Sequence, residues 1–299
     1  MKIAMVGFGE VGKILSAGLI KQPGVDSISA WDLLFTNASQ SQGQIEFAKE
    51  HQITIGGSLQ ETIHNADLVI SAVTASNTFS VAKEVSQFIQ QGSYFLDLNS
   101  ASPGTKKECA QEIDQRGAFY VEAGVMTSVP PYGIKVPMLL GGEKAQALTE
   151  ILLQWGMDAK SVSKELGIAS AIKMSRSVMI KGLESLIVEA YTTARFYGVE
   201  DYVLPTLVET FPQIDWSAEG AYMFSRVVQH GRRRSEEMRE SARTVQETGV
   251  TPLMASAIAE KQAWVAQLAS KGVFKSITKT SSWQDYADCL LAEIHPKTK

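Results

Sequence analysis

The feature that most constrains this chain is a glycine-rich turn close to its N-terminus. A short apolar run at residues 2–6 leads into Gly7-Phe8-Gly9-Glu10-Val11-Gly12, which has the spacing G-x-G-x-x-G. Apolar residues then recur at helical spacing, so the turn is predicted to join a strand to a helix. Gly7 permits the tight turn, Gly9 lets a pyrophosphate approach the backbone, and Gly12 lets helix and strand pack closely. Because a helix N-terminus attracts phosphate, the motif predicts that these residues bind a dinucleotide.

Strand and helix patterns alternate as far as about residue 162, and only helical patterns follow. The apolar runs that we interpret as further strands are residues 26–32, 67–73, 94–98, 118–125 and 136–141. Continuous apolar strands between helices are typical of a parallel sheet that is buried on both faces. The prediction is an α/β chain with an N-terminal Rossmann domain, a doubly wound parallel sheet, over residues 1–162. An all-α domain follows over residues 163–299.

A single long helix is predicted at the junction of the two domains. From Leu166 to Tyr197 there is no proline, and apolar residues form a wide face, which favours one helix of about 30 residues. We expect the later helices to be separated at the following breaks: Gly198, Pro205, Pro212, Gly231, Gly249–Pro252 and Gly272.

Composition excludes several classes of protein. Lys and Arg number 28 against 32 Asp and Glu, and this net charge of −4 argues against a nucleic-acid or anionic-membrane partner. No apolar run approaches the length of a membrane span, and no signal peptide is expected before the first strand. The two cysteines form no disulfide framework and fit a reducing compartment, which predicts a cytoplasmic protein. The four histidines are scattered, so no metal site is expected.

Asp32 is the residue from which cofactor preference is predicted. It follows Gly12 by 20 residues, at the end of the second predicted strand. A carboxylate there can accept hydrogen bonds from the adenosine ribose and repels a 2′-phosphate. Leu33 and Leu34 follow, and neither can hold that phosphate. NAD is therefore favoured over NADP, although a basic residue from elsewhere in the chain or a purely turn-capping role for Asp32 would remove the preference.

Small and polar residues follow the other predicted strands. In a doubly wound sheet, ligands bind beyond the carboxyl ends of the strands. The residues expected there are Val73 and Thr74 for the cofactor, Asn99 for both cofactor and substrate, and Ser100, Met126, Thr127 and Ser128 for the substrate. These short side chains leave room for a nicotinamide ring and a hydroxyl-rich molecule.

Lys173 lies on the predicted long helix and is the candidate catalytic residue. Arg176 and Ser177 share its helical face. If this face covers the strand ends, desolvation and the nicotinamide cation would lower the lysine pKa. The amine could then exchange a proton with a hydroxyl group near neutral pH.

These motifs, in this order, resemble the β-hydroxyacid dehydrogenase and 6-phosphogluconate dehydrogenase superfamily. The segments that carry the resemblance are the glycine turn, Asp97-Leu98-Asn99-Ser100, Gly124-Val125-Met126-Thr127-Ser128 and Gly167-Ile168-Ala169-Ser170-Ala171-Ile172-Lys173. Segments Lys173–Ser177, Lys181–Glu184 and His230–Met238 resemble a poorly characterised branch with its own helical C-terminal domain. The resemblance implies that Lys173 matches the catalytic lysine, that Asn99 contacts substrate and cofactor, and that the chain forms a homodimer through its helical domain.

Departures from the family pattern narrow the predicted reaction. Ser177 stands where the family has Asn, and Arg176 stands where 6-phosphogluconate dehydrogenase has His. Ile180 occupies the position of that enzyme's protonating Glu, which argues against oxidative decarboxylation. The resulting prediction is an NAD(P)-dependent dehydrogenase that acts on the alcohol carbon of a small anionic hydroxy acid. Arg176 would hold the anionic end and Ser177 would position the substrate.

Two alternatives remain open, and so does the role of one basic cluster. The same scaffold could reduce an imine or ketone, or it could bind a dinucleotide as a sensor without turnover. His230 and Arg232–Arg234 lie near Glu236, Glu237 and Glu240, so ion pairs within one helix are the favoured interpretation. The alternative is an anion site that is completed by a second subunit.

Overall fold

The computed structural model describes residues 1–296, with the side chains of residues 38–40 left out of the description. It divides the chain into two compact units, the first spanning Met1–Met174 and the second beginning at Ser175. The strands are β1 (Lys2–Val6), β2 (Ser27–Trp31), β3 (Thr54–Ile55), β4 (Leu68–Ser71), β5 (Tyr94–Asp97), β6 (Phe119–Val125), β7 (Met138–Gly141) and β8 (Ala159–Ser163). The helices of the first unit are α1 (Glu10–Leu19), α2 (Ala38–Glu50), α3 (Leu59–Ile63), α4 (Thr78–Ser86), α5 (Pro103–Asp114) and α6 (Ala145–Gln154).

The first unit is built on one eight-stranded sheet with the order β3-β2-β1-β4-β5-β6-β7-β8. The neighbours from β3 to β6 pair in parallel. The chain builds outward from β1 to β3 and then crosses back to place β4 on the other side of β1. This reversal is the topological switch point, where a doubly wound sheet opens a crevice beyond the carboxyl ends of its strands. The predicted Rossmann fold is confirmed.

The predicted apolar runs form the interior of this sheet. All four residues of β4 are buried, because helices cover a parallel sheet on both faces. Two separate apolar clusters lie in this unit, one containing Met5 and Ile70 and the other containing Val69 and Phe95. The side chains of successive strand residues point to opposite faces, so β1, β4, β5 and β6 each contribute to both clusters.

The sheet is not parallel throughout, because β7 runs antiparallel to β6. The connection over residues 126–137 contains only a 3₁₀ turn at Gly133–Lys135. A parallel neighbour requires a longer crossover, usually a helix, whereas this direct connection returns the chain in the opposite direction. β8 then pairs in parallel with β7 at the edge of the sheet.

The long helix is confirmed as α7 (Ile168–Tyr197), a helix of 30 residues that begins in the first unit and continues into the second. The second unit also contains α8 (Glu200–Thr210), α9 (Trp216–Glu247), α10 (Leu253–Ser270) and α11 (Trp283–Ile294). Their apolar cluster is centred on buried aromatic side chains that include Tyr191, Phe224 and Trp283. No helix within residues 1–296 is both long enough and apolar enough to cross a membrane.

Two of the expected helix breaks are wrong. Pro205 lies inside α8, and Gly231 lies inside the 32-residue helix α9. A Cβ atom at Gly231 would lie 2.7 Å from the backbone oxygen of Gln262 and 3.2 Å from Cβ of Ala266. The glycine therefore allows α9 and α10 to approach closely, and this packing outweighs its low helix propensity.

Candidate active site

The glycine turn between β1 and α1 has the backbone geometry that its sequence predicts. Gly7 has a φ of +92°, and a Cβ atom there would collide with the backbone of Ala72. A Cβ atom at Gly12 would collide with the carbonyl oxygen of Gly7, so helix and turn pack without space for a side chain. A Cβ atom at Gly9, in contrast, would meet nothing within 4 Å. The backbone at Gly9 is thus open to a ligand at the N-terminus of α1, where the first N–H groups point outward.

Asp32 binds the glycine turn directly. One carboxylate oxygen accepts a hydrogen bond from the backbone N–H of Phe8 at 2.6 Å, and the other accepts from Leu34 N–H at 2.9 Å. The side chain of Phe8 is fully buried against Phe35 and Phe47, so only its backbone belongs to the turn surface. Asp32 therefore connects the end of β2 to the turn after β1, a structural role that the sequence interpretation treated as the alternative.

Asn99 ties together the loops that follow β4 and β5. Its side-chain oxygen accepts from Val73 N–H at 2.7 Å, and its amide nitrogen donates to the hydroxyl of Ser71 at 2.9 Å. Thr74 follows at the start of a short 3₁₀ turn, where its hydroxyl accepts from Asn77 at 2.9 Å. Ser100 is half-buried beside Asn99. The two predicted cofactor-contacting segments are thereby held in one fixed arrangement.

A buried ion pair between Lys106 and Asp97, which was not predicted from the sequence, lies next to Asn99. Lys106 Nζ lies 3.0 Å from a carboxylate oxygen of Asp97, and both side chains are at most 1% exposed. The same oxygen accepts from Asn99 N–H at 2.9 Å, and the other accepts from the hydroxyl of Tyr120 at 2.6 Å. Burial and then the Asp97 carboxylate raise the pKa of Tyr120 well above its usual value. The same two causes raise the pKa of Cys109 to about 12.

Lys173 lies against the carboxyl end of β6. A Cβ atom at Gly124 would lie 3.4 Å from Cβ of Lys173 and 2.9 Å from the carbonyl oxygen of Ala169. The absence of a side chain at Gly124 therefore lets the first turns of α7 approach the strand. Met126, Thr127 and Ser128 follow β6 directly, with Thr127 exposed and the other two half-buried. Since β1, β2, β4, β5 and β6 are parallel, the segments that follow them share one edge of the sheet with Lys173.

Glu122 is a second residue that was not among the predicted site residues. It lies in β6, is fully buried, and accepts hydrogen bonds from the N–H groups of Gly167 at 2.7 Å and Ala169 at 3.2 Å. Its other oxygen accepts from Ser170 N–H at 3.3 Å and from the hydroxyl of Ser170. A carboxylate in an otherwise apolar strand was the sequence signal for such a role, because a buried charge must find donors.

Arg176 and Ser177 lie in the second unit. Arg176 is exposed, whereas Ser177 is 7% exposed and accepts a hydrogen bond from Lys181 Nζ at 3.2 Å. Lys181 also forms an ion pair with Glu237 at 2.9 Å. A polar stripe thus continues along the predicted face of α7.

Two arginines of the basic cluster on α9 form ion pairs. Arg233 Nε lies 3.8 Å from a carboxylate oxygen of Glu237 in the same helix. Arg234 instead binds Glu184 of α7 through two nitrogen atoms, and Gln262 of α10 donates to the same carboxylate at 3.1 Å. The partner of Arg234 was therefore predicted on the wrong helix, since a helical periodicity reveals partners on its own helix only.

Comparisons with known proteins define the class of this chain. A model of the NAD binding domain of 6-phosphogluconate dehydrogenase matches residues 2–162, and a domain of unknown function, DUF1932, matches residues 194–265. The chain belongs to the family with this 6-phosphogluconate dehydrogenase-like NAD-binding domain.

Solved structures share the fold of this chain. A conserved hypothetical protein from Sinorhizobium meliloti 1021 is 33% identical, with 97% of this chain and 95% of that chain covered and a TM-score of 0.76. Conserved protein MTH1747, of unknown function and structurally similar to 3-hydroxyacid dehydrogenases, is 28% identical over 90% of this chain and 99% of its own, with a TM-score of 0.67. The 3-hydroxyisobutyrate dehydrogenase of Mycobacterium tuberculosis, solved with L-serine, shares the fold at 16% identity over 97% and 98% of the two chains, with a TM-score of 0.66.

The fold is therefore that of 3-hydroxyacid dehydrogenases, with an NAD(P)-binding domain. The residues of the first unit fit a dinucleotide. Gly9 leaves its backbone uncovered at the N-terminus of α1, and the Val73 and Asn99 loops flank the same switch point.

Proposed function

We propose that this protein is an NAD(P)-dependent dehydrogenase that acts on the alcohol carbon of a small anionic hydroxy acid. Gly7–Gly12 would hold the pyrophosphate, and Val73, Thr74 and Asn99 would flank the nicotinamide end. When bound, the cofactor supplies the hydride acceptor for oxidation or the hydride donor for the reverse reduction. The chain itself supplies binding, orientation and proton transfer.

Lys173 has the central chemical role in this proposal. Its amine accepts the hydroxyl proton as the alcohol is oxidised and returns it in the reverse direction. The observation that carries the proposal is the close approach of Lys173 to Gly124, 3.4 Å from the position of an added Cβ atom. This contact brings a lysine to the same sheet edge as the glycine turn, where a bound dinucleotide would present its reactive ring.

The remaining predicted residues would position the substrate. Ser100, Met126, Thr127 and Ser128 would line the substrate end of the sheet edge. Arg176 would bind the carboxylate or another anionic group through its planar guanidinium, and Ser177 would orient the hydroxyl-bearing end. Replacing Arg176 by Leu should then raise KM for an acidic substrate more than it lowers kcat.

The experiment is a substrate screen with NAD and NADP, followed by Lys173→Met. The panel contains 3-hydroxy acids, L-serine, sugar acids and phosphonates, and turnover is followed by the absorbance of the reduced cofactor. Loss of a general base should lower kcat by about 10²–10⁴-fold. Binding of reduced cofactor, measured by fluorescence, should persist. Lys164→Met, which changes an exposed lysine shortly before α7, is the matched control and should retain full activity.

A further arm of the screen, with NADPH, a ketone and an amine, separates the two alternatives. An imine or ketone reductase would oxidise NADPH with a ketone and an amine but leave hydroxy acids unchanged. A sensor would bind the cofactor without turnover in any arm. Full activity of Lys173→Met on a hydroxy acid would refute the proposed role of the lysine.

We also propose that the chain forms a homodimer through its helical unit. Exposed apolar side chains in that unit support the proposal, among them Tyr197, Tyr202 and Phe211 at 70%, 79% and 53% exposure. Light scattering should give twice the chain mass of 32.5 kDa, and a monomer at micromolar concentration would contradict the proposal.

A further inference from the structure

Glu122 occupies a cavity that the surrounding backbone shapes for its side chain. Gly141 pairs with Glu122 across the β6–β7 ladder, and a Cβ atom at Gly141 would lie 2.5 Å from a carboxylate oxygen of Glu122 and 3.1 Å from its Cγ. Gly167 has a φ of +99°, and a Cβ atom there would lie 3.0 Å from Pro103. Gly141 therefore leaves space for the Glu122 carboxylate, and Gly167 lets the start of α7 approach Pro103 closely.

The groups that Glu122 binds are the N–H groups that a helix leaves without intrahelical partners. The N–H groups of Gly167, Ala169 and Ser170 and the hydroxyl of Ser170 all donate to its two oxygens. A carboxylate at this position is also stabilised by the partial positive charge of the helix N-terminus. The first turn of α7 is thus held by a charge-assisted network inside the first unit.

Lys173 leaves the helix one turn beyond this network. In an α-helix, side chains tilt toward the N-terminus, so the side chain of Lys173 extends back over the turn that contains Ala169. Glu122 and Gly124 lie two residues apart on β6 and therefore face the same side of the sheet. The strand fixes α7 at two adjacent points, through the carboxylate at the first turn and through the close contact between Gly124 and Lys173.

We propose that Glu122 is a positioning residue for Lys173, acting through the N-terminus of α7. This inference rests on the proposed function of the lysine. Glu122 touches neither substrate nor cofactor in this proposal. It fixes the axial position of the helix, and the helix places the amine at the strand ends. A displacement of about 1 Å at a reacting group can lower the rate by about 10²-fold, so a modest change at the first turn would affect catalysis.

The test uses Glu122→Gln as the principal variant. The amide keeps the shape of the side chain but loses its charge and replaces one acceptor by a donor that faces donors. Glu122→Asp keeps the charge but shortens the reach by one methylene. Gly141→Ala leaves Glu122 unchanged and displaces its carboxylate by the contact of 2.5 Å described above. Asp215→Asn, the same carboxylate-to-amide change at the N-terminus of α9, is the control for the loss of a negative charge at a helix N-terminus alone, because an asparagine can still accept the hydrogen bond from Ala218 N–H.

The first readout does not depend on turnover. Lys173 is modified with pyridoxal 5′-phosphate and borohydride, located by peptide mass spectrometry, and compared with and without NADPH. In the wild type and in Asp215→Asn, NADPH should protect Lys173. In the three variants of the Glu122 cavity this protection should fall several-fold, while the affinity for NADPH, measured by fluorescence, changes by less than about 3-fold.

The second readout is steady-state kinetics with the best hydroxy acid of the screen. We expect kcat to fall by about 10–100-fold in Glu122→Gln with a much smaller change in KM. The primary deuterium isotope effect on kcat should rise, because hydride transfer becomes more rate-limiting. A purely structural role would lower the thermal midpoint and leave both the isotope effect and the protection of Lys173 unchanged, and that result would overturn the proposal.

The two proposals fail in different ways. If Lys173 protection depends on Glu122 but no hydroxy acid is turned over, the positioning role stands and the dehydrogenase assignment fails. If turnover requires Lys173 but is unaffected by Glu122→Gln and Gly141→Ala, the positioning role alone is refuted. Should Glu122→Gln not fold, Gly141→Ala and Glu122→Asp decide the question by the same two readouts.

Discussion

Replacing Lys106 by Met tests the buried ion pair that supports the loop of Asn99. The ammonium lies 3.0 Å from a carboxylate oxygen of Asp97 and also donates to the Asp97 carbonyl oxygen at 3.1 Å. Methionine fills most of the volume of the lysine side chain, so the cost arises from the charge and not from a cavity. The variant leaves the Asp97 carboxylate in the interior with two neutral donors, Asn99 N–H and the Tyr120 hydroxyl, and without its counter-charge.

The expected loss in the free energy of unfolding follows from the lost ammonium group and from the two donors that Asp97 retains. Removing one partner of a buried pair costs about 3–5 kcal/mol, and the two remaining donors place this variant at the lower end. For a unit of this size, each kcal/mol corresponds to roughly 2–4 °C in Tm, so the expected decrease is about 6–12 °C. The neighbouring exposed residue provides the control, since Lys107→Met should change stability by no more than about 0.5 kcal/mol.

The assay is differential scanning calorimetry combined with urea unfolding of the full chain. Asp97→Asn and the double variant complete a thermodynamic cycle with Lys106→Met, and the coupling energy should be about 1–3 kcal/mol. A decrease below about 1 kcal/mol for Lys106→Met, or additivity of the two single changes, would show that the pair contributes no specific interaction and would refute the reasoning.

Three further predictions concern other parts of the molecule. Gly231→Ala should lower the free energy of unfolding by about 1–3 kcal/mol in urea, because its Cβ atom would overlap the backbone oxygen of Gln262; unchanged or increased stability would contradict the close packing of α9 and α10. With a thiol pKa of about 12, the buried Cys109 remains protonated at pH 8. Ellman's reagent should therefore label Cys289 alone in the native protein and both cysteines in guanidinium, and rapid labelling of Cys109 in the native protein would refute its burial. Asp32→Ala should weaken the binding of both NAD and NADP by loosening the glycine turn and should reduce any preference for NAD; unchanged affinities by fluorescence titration would show that the carboxylate does not organise the turn.

The elements that sequence patterns predicted well are those with strong local signals. The first strand, the glycine turn and α1 follow from the apolar run at residues 2–6, the glycine motif and the helical spacing after it, and α7 follows from a long apolar face without proline. β3 and β8 escaped prediction because one has only two residues and the other is partly exposed at the sheet edge, so neither contains a continuous apolar run. The reversal of β7 depends on the whole connection before it and not on the composition of the strand itself.

Prediction of the candidate site from local sequence patterns was limited in the same way. The segments beyond the strand ends were predictable because a parallel sheet brings them to one edge regardless of their sequence. The partners of Glu122 lie 45–48 residues away along the chain, and Arg234 binds a residue 50 positions away. No local pattern records such distances, so Glu122 was not predicted to have a role and the partners of Arg234 were expected on its own helix.

The hydrogen bonds of Asp32 have a consequence for altering coenzyme preference by protein engineering. A designer who exchanges this aspartate for a smaller or basic residue would remove the acceptor of Phe8 N–H and thereby disturb the glycine turn that is proposed to hold the pyrophosphate, as well as the proposed contact with the ribose. Leu33, which is 72% exposed, is a separate position beside Asp32 at which a substitution can be made. An arginine introduced there could attract an additional phosphate while the anchoring carboxylate is left intact.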